Sequence, residues 1–245
     1  MYKQILSISQ LSVPRVKMAE VEGDLKMLGL WASPFVMRIR MVLEQKGLNY
    51  EYLEQDLSNK SELLLKHNPI YKKVPVLIHG DSAICESLVI LQYIDENWSK
   101  TGPPLLPSTP YERAIARFWA AYIDDKLQAS LRGILMAATE EAMTEKVADT
   151  CAALETLEGA FESCSAGKDF FAGNSVGYLD IILGSLTVWI RVLENISGAK
   201  LLDETKVPLL AEWEKRILTV DCVKKALPSV EKLEVVGREM RAKGY

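Results

Sequence analysis

The sequence predicts an α/β domain followed by an all-helical domain, and three observations carry this. Residues 26–98 alternate strand-length apolar runs with amphipathic helical stretches, in the order β-α-β-(α)-β-β-α over about 75 residues. "SKTGPPLLPSTP" (99–110) then crowds four prolines and a glycine into a stretch that no regular element can cross. Beyond it the periodicity is helical, with no convincing strand.

The elements follow in order. Residues 26–31 form a short apolar strand. Ser33-Pro34 then starts a helix, because a hydroxyl can cap it and the fixed φ of proline suits the first helical position. Val36, Ile39, Met41, Val42 and Leu43 give that helix a buried face, and Gly47 after Lys46 stops it. "LNYEYLEQDL" (48–57) alternates as a half-buried strand does. "NKSELLLKHNP" reads as a polar loop and a short helical turn, and "KKVPVLIHGDSAICES" as two strands about a His-Gly-Asp-Ser turn. A proline inside the run 74–78 cannot donate a ladder bond, so that strand is expected at a sheet edge or a break. From Ser87, "SLVILQYIDENW" is a helix with a polar cap. In the second half, 111–136, 141–164, 178–194, 207–218 and a last stretch from 230 read as helices. The expected domains are 26–98 and 110–245, with a linker at 99–109.

Residues 1–25 form an N-terminal extension expected to be flexible. Its first 17 residues carry three serines, three basic residues and no acid, a mild likeness to a transit peptide. The preferred reading is that Met18 is the usual start, since "MAEVEGDLKMLGLW" reads as a polar lead into a strand.

Composition narrows the function classes. Of 245 residues, 49% are hydrophobic and 25% charged, an ordinary globular balance. A net charge of −4 argues against nucleic acid as a partner. Cys85, Cys151, Cys164 and Cys222 lack CxxC spacing, and His67 and His79 are the only histidines, so neither a metal site nor a disulfide framework is expected. Unpaired cysteines fit a reducing compartment, read as the cytosol. No apolar run approaches the ~18 residues of a membrane span.

Taken alone, Ser33 at the start of a helix is a cap. The wider pattern alters that reading. The segments "WASPFVMRIRMVLEQKGLNYEY", "DLSNKSELLLKHNPIYKKVPVLIHG", "ESLVILQYIDENW", "YERAIARFWAAYID" and "GYLDIIL" stand in an order and spacing that resembles the glutathione transferases, the plant tau class in particular, over nearly everything from Lys26 onward. The resemblance implies a thioredoxin-like N-terminal domain that binds glutathione, a helical domain that supplies most of an electrophile pocket, and a homodimer. It also implies a cis bond before Pro75. By the same resemblance Ser33 donates a hydrogen bond to the sulfur of glutathione, in the manner of the serine-type transferases. Ser87 and Glu86, just before an apolar helix, bind the γ-glutamyl carboxylate and the ammonium. Lys60 lies near the glycyl carboxylate, Lys73 is a second basic contact, and the backbone of Val74 pairs with the cysteinyl unit as an added strand would. The expected electrophile pocket takes Pro34, Phe35, Gln128, Arg132 and Trp189, with Gln128 where tau members often carry an aromatic residue.

Other signatures read as structure. "RFWAAYIDD" (117–125) looks like domain packing, and Asp180 lies three residues after Gly177, at the place of an acid that caps a helix start. Many transferases have Ser or Thr where Gly177 stands. Cys85 reads as a buried strand-end cysteine. The implied activity is conjugation of glutathione to hydrophobic electrophiles in detoxification and stress response, with hydroperoxide reduction as a side activity and no metal. Thiol-disulfide exchange or dehydroascorbate reduction would want a cysteine at position 33. A non-catalytic carrier of hydrophobic metabolites would use the same cleft, and nothing in the sequence excludes it.

Overall fold

The computed structural model describes residues 25–243; the expectations for the N-terminal extension, Met18 among them, lie outside the described residues. Four strands form one sheet: β1 (Leu25–Gly29), β2 (Glu51–Glu54), β3 (Val76–His79) and β4 (Ser82–Cys85). Their order is β2-β1-β3-β4, with β1 parallel to β2 and antiparallel to β3, and β3 antiparallel to β4. Helices α1 (Pro34–Gln45) and α3 (Ser87–Asn97) pack against each other, and the short α2 (Glu62–His67) carries one buried leucine, Leu64. Every apolar position expected on the inner face of α1 is buried.

Two local expectations change, and a third resolves to one of its two alternatives. The second strand is four residues long rather than ten; its ladder stops at Glu54, where the Gln55 side chain turns inward to bond the carbonyls of Leu53 and Glu54. Pro75 does not sit inside a strand. It forms a cis bond with Val74 immediately before β3, which is an interior strand with partners on both sides. The missing N–H of proline thus falls at a break, and no ladder bond is lost. Ser87 is the first residue of α3 and not its cap; Glu86 holds that place, with φ 70°.

After residues 99–109, which hold no strand or helix longer than a turn, the chain is helical. This stretch is not slack. Asp95 accepts the N–H groups of Leu105 and Leu106, and the Leu105 carbonyl accepts from the N–H of Tyr178. α4 (Pro110–Tyr122) runs through a π-helical stretch, Ile123–Gln128, into α5 (Ala129–Met136), and α5 pairs with α6 (Glu140–Ser165). The expected single helix over 178–194 is two, α7 (Tyr178–Gly184) and α8 (Thr187–Ser197), divided where the Ser185 hydroxyl donates to the Ile182 carbonyl. α9 (Pro208–Ile217), a short α10 (Asp221–Ala226) that the periodicity did not reveal, and α11 (Val230–Lys243) complete the chain.

Asp180 does cap the start of α7, accepting from the N–H of Gly177 at 3.0 Å. Glycine at 177 has a steric cause: a Cβ there would lie 2.4 Å from the Cβ of Ala172. No serine or threonine fits.

Candidate active site

Strand register brings the candidate residues to one end of the sheet. Leu28, near the end of β1, is opposite Val76 at the start of β3, and Val76 is opposite Cys85 at the end of β4. Gly29 is level with Glu54 at the end of the parallel β2. The chain therefore leaves β1 toward Ser33, enters β3 from Val74, leaves β4 toward Glu86 and Ser87, and leaves β2 toward Lys60, all at the same edge. Lys60, Lys73 and Glu86 are exposed, and Ser33, Pro34, Phe35 and Val74 half-buried.

Ser33 occupies the N-cap of α1 in extended backbone, with φ −77° and ψ 123°, and its hydroxyl makes no capping bond. Its carbonyl instead accepts from the N–H groups of Val36 and Met37. The backbone meets the needs of the helix, so the hydroxyl stays available beside the positive end of α1. Contrast Ser61 and Thr109, whose side chains do cap α2 and α4.

Backbone strain gathers at the same end of the sheet. Glu86 and Lys72 are non-glycine residues at positive φ, 70° and 54°, a cost of about 1–3 kcal/mol each that surrounding structure must sustain. Asn68 holds the strained loop from beneath: its Nδ2 donates to the carbonyl of Lys73 at 2.9 Å. Ser87 is buried, and its hydroxyl accepts from Nη1 of Arg38 at 3.3 Å. Burial, and secondarily the Glu86 charge, push the Cys85 thiol up, so the protein's own sulfur is a poor nucleophile here.

Arg38 itself escaped the sequence reading. Its side chain is wholly buried on α1 and forks onto Asp124 of the π-helical stretch, while Nε donates to the Ser185 hydroxyl at 3.2 Å. The apolar run 36–43 carries two arginines, Arg38 and Arg40, and any that falls on the buried face has to meet a partner, but periodicity does not say which. Asp124 was read correctly as domain packing. Gln128 lies one turn beyond Asp124 and is half-buried, and Arg132 a further turn along is exposed, so this strip runs outward from the Arg38 contact. Trp189 stands apart from it. Its ring is buried and its indole N–H donates to the carbonyl of Ala32 at 2.9 Å.

The family model for the glutathione S-transferase N-terminal domain matches residues 23–96. Glutathione S-transferase U18 of Arabidopsis thaliana is 49% identical over 89% of this chain and 96% of its own. The crystal structure of the tau-class glutathione S-transferase MiGSTU from mango (Mangifera indica) is 50% identical, with a TM-score of 0.85 over 90% of this chain and all of that one. The chain is a tau-class glutathione transferase by family. A rice glutathione transferase crystallised with glutathione is 37% identical, with a TM-score of 0.83 over 91% of this chain and 98% of that one.

In this tau-class chain two pockets of about 400 Å³ lie away from the end of the sheet described above. One lies between α8 and the α10–α11 turn, lined by Arg191, Leu227 and Val230 among others, and the second beside Arg40 and Tyr50. No helix among the described residues is long and apolar enough to cross a membrane. Among those residues, no group of three or more His, Cys, Asp or Glu could hold a metal ion.

Proposed function

We propose that this protein conjugates glutathione to hydrophobic electrophiles, with Ser33 as the hydroxyl that stabilises the thiolate. One observation carries the reading: the Ser33 hydroxyl stands at the start of α1 and does no capping. Ser87 and the N-terminus of α3 receive the γ-glutamyl carboxylate, and the exposed Glu86 its ammonium. Val74, turned by the cis bond, offers its backbone to the cysteinyl unit, and Lys60 and Lys73 face the glycyl carboxylate. Pro34, Phe35, Gln128 and Arg132 border the electrophile. The protein works as a homodimer in the cytosol, serving detoxification and stress response, and exposed apolar side chains on both domains, such as Val89 and Phe118, favour association.

Ser33 acts neither as nucleophile nor as base. The thiol proton leaves to solvent, the hydroxyl and the helix end favour S⁻, and the sulfur attacks the electrophilic carbon with departure of its leaving group. A thiol of pKa ~8.5 is about 3% ionised at pH 7; lowering it by about two units gains roughly 25-fold in thiolate. Lower basicity costs roughly 8-fold in nucleophilicity, leaving about threefold net. Holding thiolate and electrophile together supplies the greater part of the acceleration. With a hydroperoxide, the same thiolate attacks the O–O bond and releases the alcohol, and a second glutathione converts the sulfenic acid to disulfide and water.

The test is the initial rate with 1-chloro-2,4-dinitrobenzene for wild type and Ser33→Ala near neutral pH. Turnover by wild type and a drop of about threefold in the variant, the net gain from ionisation, is expected. Glutathione binding without turnover in either protein would overturn the reading in favour of a carrier.

A further inference from the structure

We propose that Trp189, on the helical domain, is a positioning residue for Ser33, and that α11 holds it in place. The proposal rests on the reading of Ser33 as the thiolate-stabilising hydroxyl.

The four residues Leu30–Ser33 form a turn closed by the Ser33 N–H on the Leu30 carbonyl at 2.9 Å. Two more of its backbone groups are held from outside. The Trp31 N–H donates to Glu54 Oε1 at 3.1 Å, and Glu54 is itself fixed by the Tyr52 hydroxyl at 2.6 Å. The Ala32 carbonyl accepts the indole N–H of Trp189 at 2.9 Å, a buried bond spanning 157 residues of sequence. That carbonyl belongs to the peptide plane that enters Ser33. With the next plane held by the N–H groups of Val36 and Met37 on the Ser33 carbonyl, fixing this plane sets φ at Ser33 and hence the direction of its Cα–Cβ bond. A hydroxyl that must meet sulfur within hydrogen-bond reach depends on that direction.

The tryptophan is itself wedged. α11 crosses α8 so closely at Gly237 that a Cβ there would lie 3.3 Å from Val192 and Ile196 and 3.5 Å from the Trp189 ring. Earlier on α11, Lys232 sets its ammonium 4.2 Å from the centre of the Trp31 ring. Farther along, Arg241 donates to the Ile134 carbonyl at 2.9 Å, tying the helix to α5. One helix thus braces both tryptophans that flank Ala32, which gives the C-terminal segment a hold on the reacting hydroxyl without touching it.

The experiment replaces Trp189 by Phe, and separately by 3-benzothienylalanine, which keeps the bicyclic shape and exchanges N–H for sulfur. The second variant preserves burial if Phe fails to fold. Both are compared with wild type and Ser33→Ala in two readouts: the ultraviolet titration of bound glutathione thiolate, and kcat with its KM for 1-chloro-2,4-dinitrobenzene at pH 6.5 and 9. Loss of the N–H is expected to raise the bound thiol by about half to one pH unit. At pH 6.5 kcat should fall by up to about twofold once the offsetting gain in nucleophilicity is counted, with no loss at pH 9 and KM for the electrophile within about twofold. If Ser33→Ala leaves the thiol titration unmoved, the reading of Ser33 fails and this proposal with it. If Ser33→Ala raises it while the benzothienyl variant titrates as wild type, the reading stands and the positioning role is overturned. A benzothienyl variant that changes only KM for the electrophile also overturns it, making Trp189 a pocket wall.

Discussion

Arg38 and Asp124 form a forked ion pair across the two domains, Nη1 to Oδ2 at 3.0 Å and Nη2 to Oδ1 at 2.5 Å, with the guanidinium wholly buried. Two further Arg38 donors go to Ser87, at the start of α3, and to Ser185, at the break between α7 and α8. The pair therefore ties domain packing to the residue proposed to receive the γ-glutamyl carboxylate. A buried pair of this kind is costly to break from one side, because the surviving charge loses its partner.

Arg38→Met is expected to cost about 3 kcal/mol in unfolding free energy and to weaken glutathione binding through a loosened Ser87. Adding Asp124→Leu should return much of the stability, since no charge is then left buried, but not the binding. Denaturant titration and calorimetry of glutathione binding separate the two effects. Recovery of binding in the double variant would disconnect Ser87 from this pair.

Ser33→Ala should lose more turnover at pH 6.5 than at pH 9. The hydroxyl raises the thiolate fraction, and that help becomes redundant once the free thiol ionises near pH ~8.5. Rate profiles from pH 6 to 9.5 give the answer: equal losses at both ends would mean that the hydroxyl acts on the transition state and not on ionisation.

Glu86 carries strain that a ligand site can explain and a helix cap cannot. It holds φ 70° and ψ 116° with no side-chain capping bond. Glu86→Gly should relax the backbone and leave stability unchanged or higher by about 1 kcal/mol. It should also raise KM for glutathione severalfold by removing the carboxylate that meets the ammonium. Thermal unfolding and glutathione saturation curves on one preparation suffice, and a KM left at the wild-type value would remove Glu86 from the site.

Much of this arrangement was legible before the structure because it rests on local chemistry. Ser33-Pro34 announces a helix start, Gly47 its end, and the proline-rich stretch a change of architecture. What escaped has non-local causes. The end of β2 lies where Gln55 turns inward, the split of 178–194 at a hydroxyl of Ser185, and the reason for glycine at 177 is Ala172 across a loop. Arg38 was hidden by its own helix, since periodicity marks apolar faces and gives no notice of a buried guanidinium whose partner lies 86 residues away. The indole bond from Trp189 to Ala32 was equally silent, as a tryptophan in an apolar helix looks the same whether it lines a pocket or holds a turn.

Asp180 sets burial against hydrogen bonding. It is wholly buried, and its carboxylate accepts from the N–H groups of Phe171, Ala172 and Gly177 and from the Trp213 indole. Those four donors favour the charged form, yet burial outweighs them and the carboxyl is pushed up to about 6 from its ordinary 3.8. Between these values the folded protein holds a proton that the unfolded chain has released. This group's contribution to stability is therefore full below pH ~4 and is lost as pH rises through about 6, a change of about 3 kcal/mol. Asp180→Asn removes the titration. It also turns an amide NH₂ toward N–H groups that had an acceptor, so it should be less stable than wild type throughout. The measurement is the difference in unfolding free energy between the two proteins at intervals from pH 4 to 7.5. Wild type's advantage should shrink as pH rises from 4 to 6 and then level off. An advantage that grows over the same interval would mean that the four donors prevail and that the folded carboxyl lies below its ordinary range.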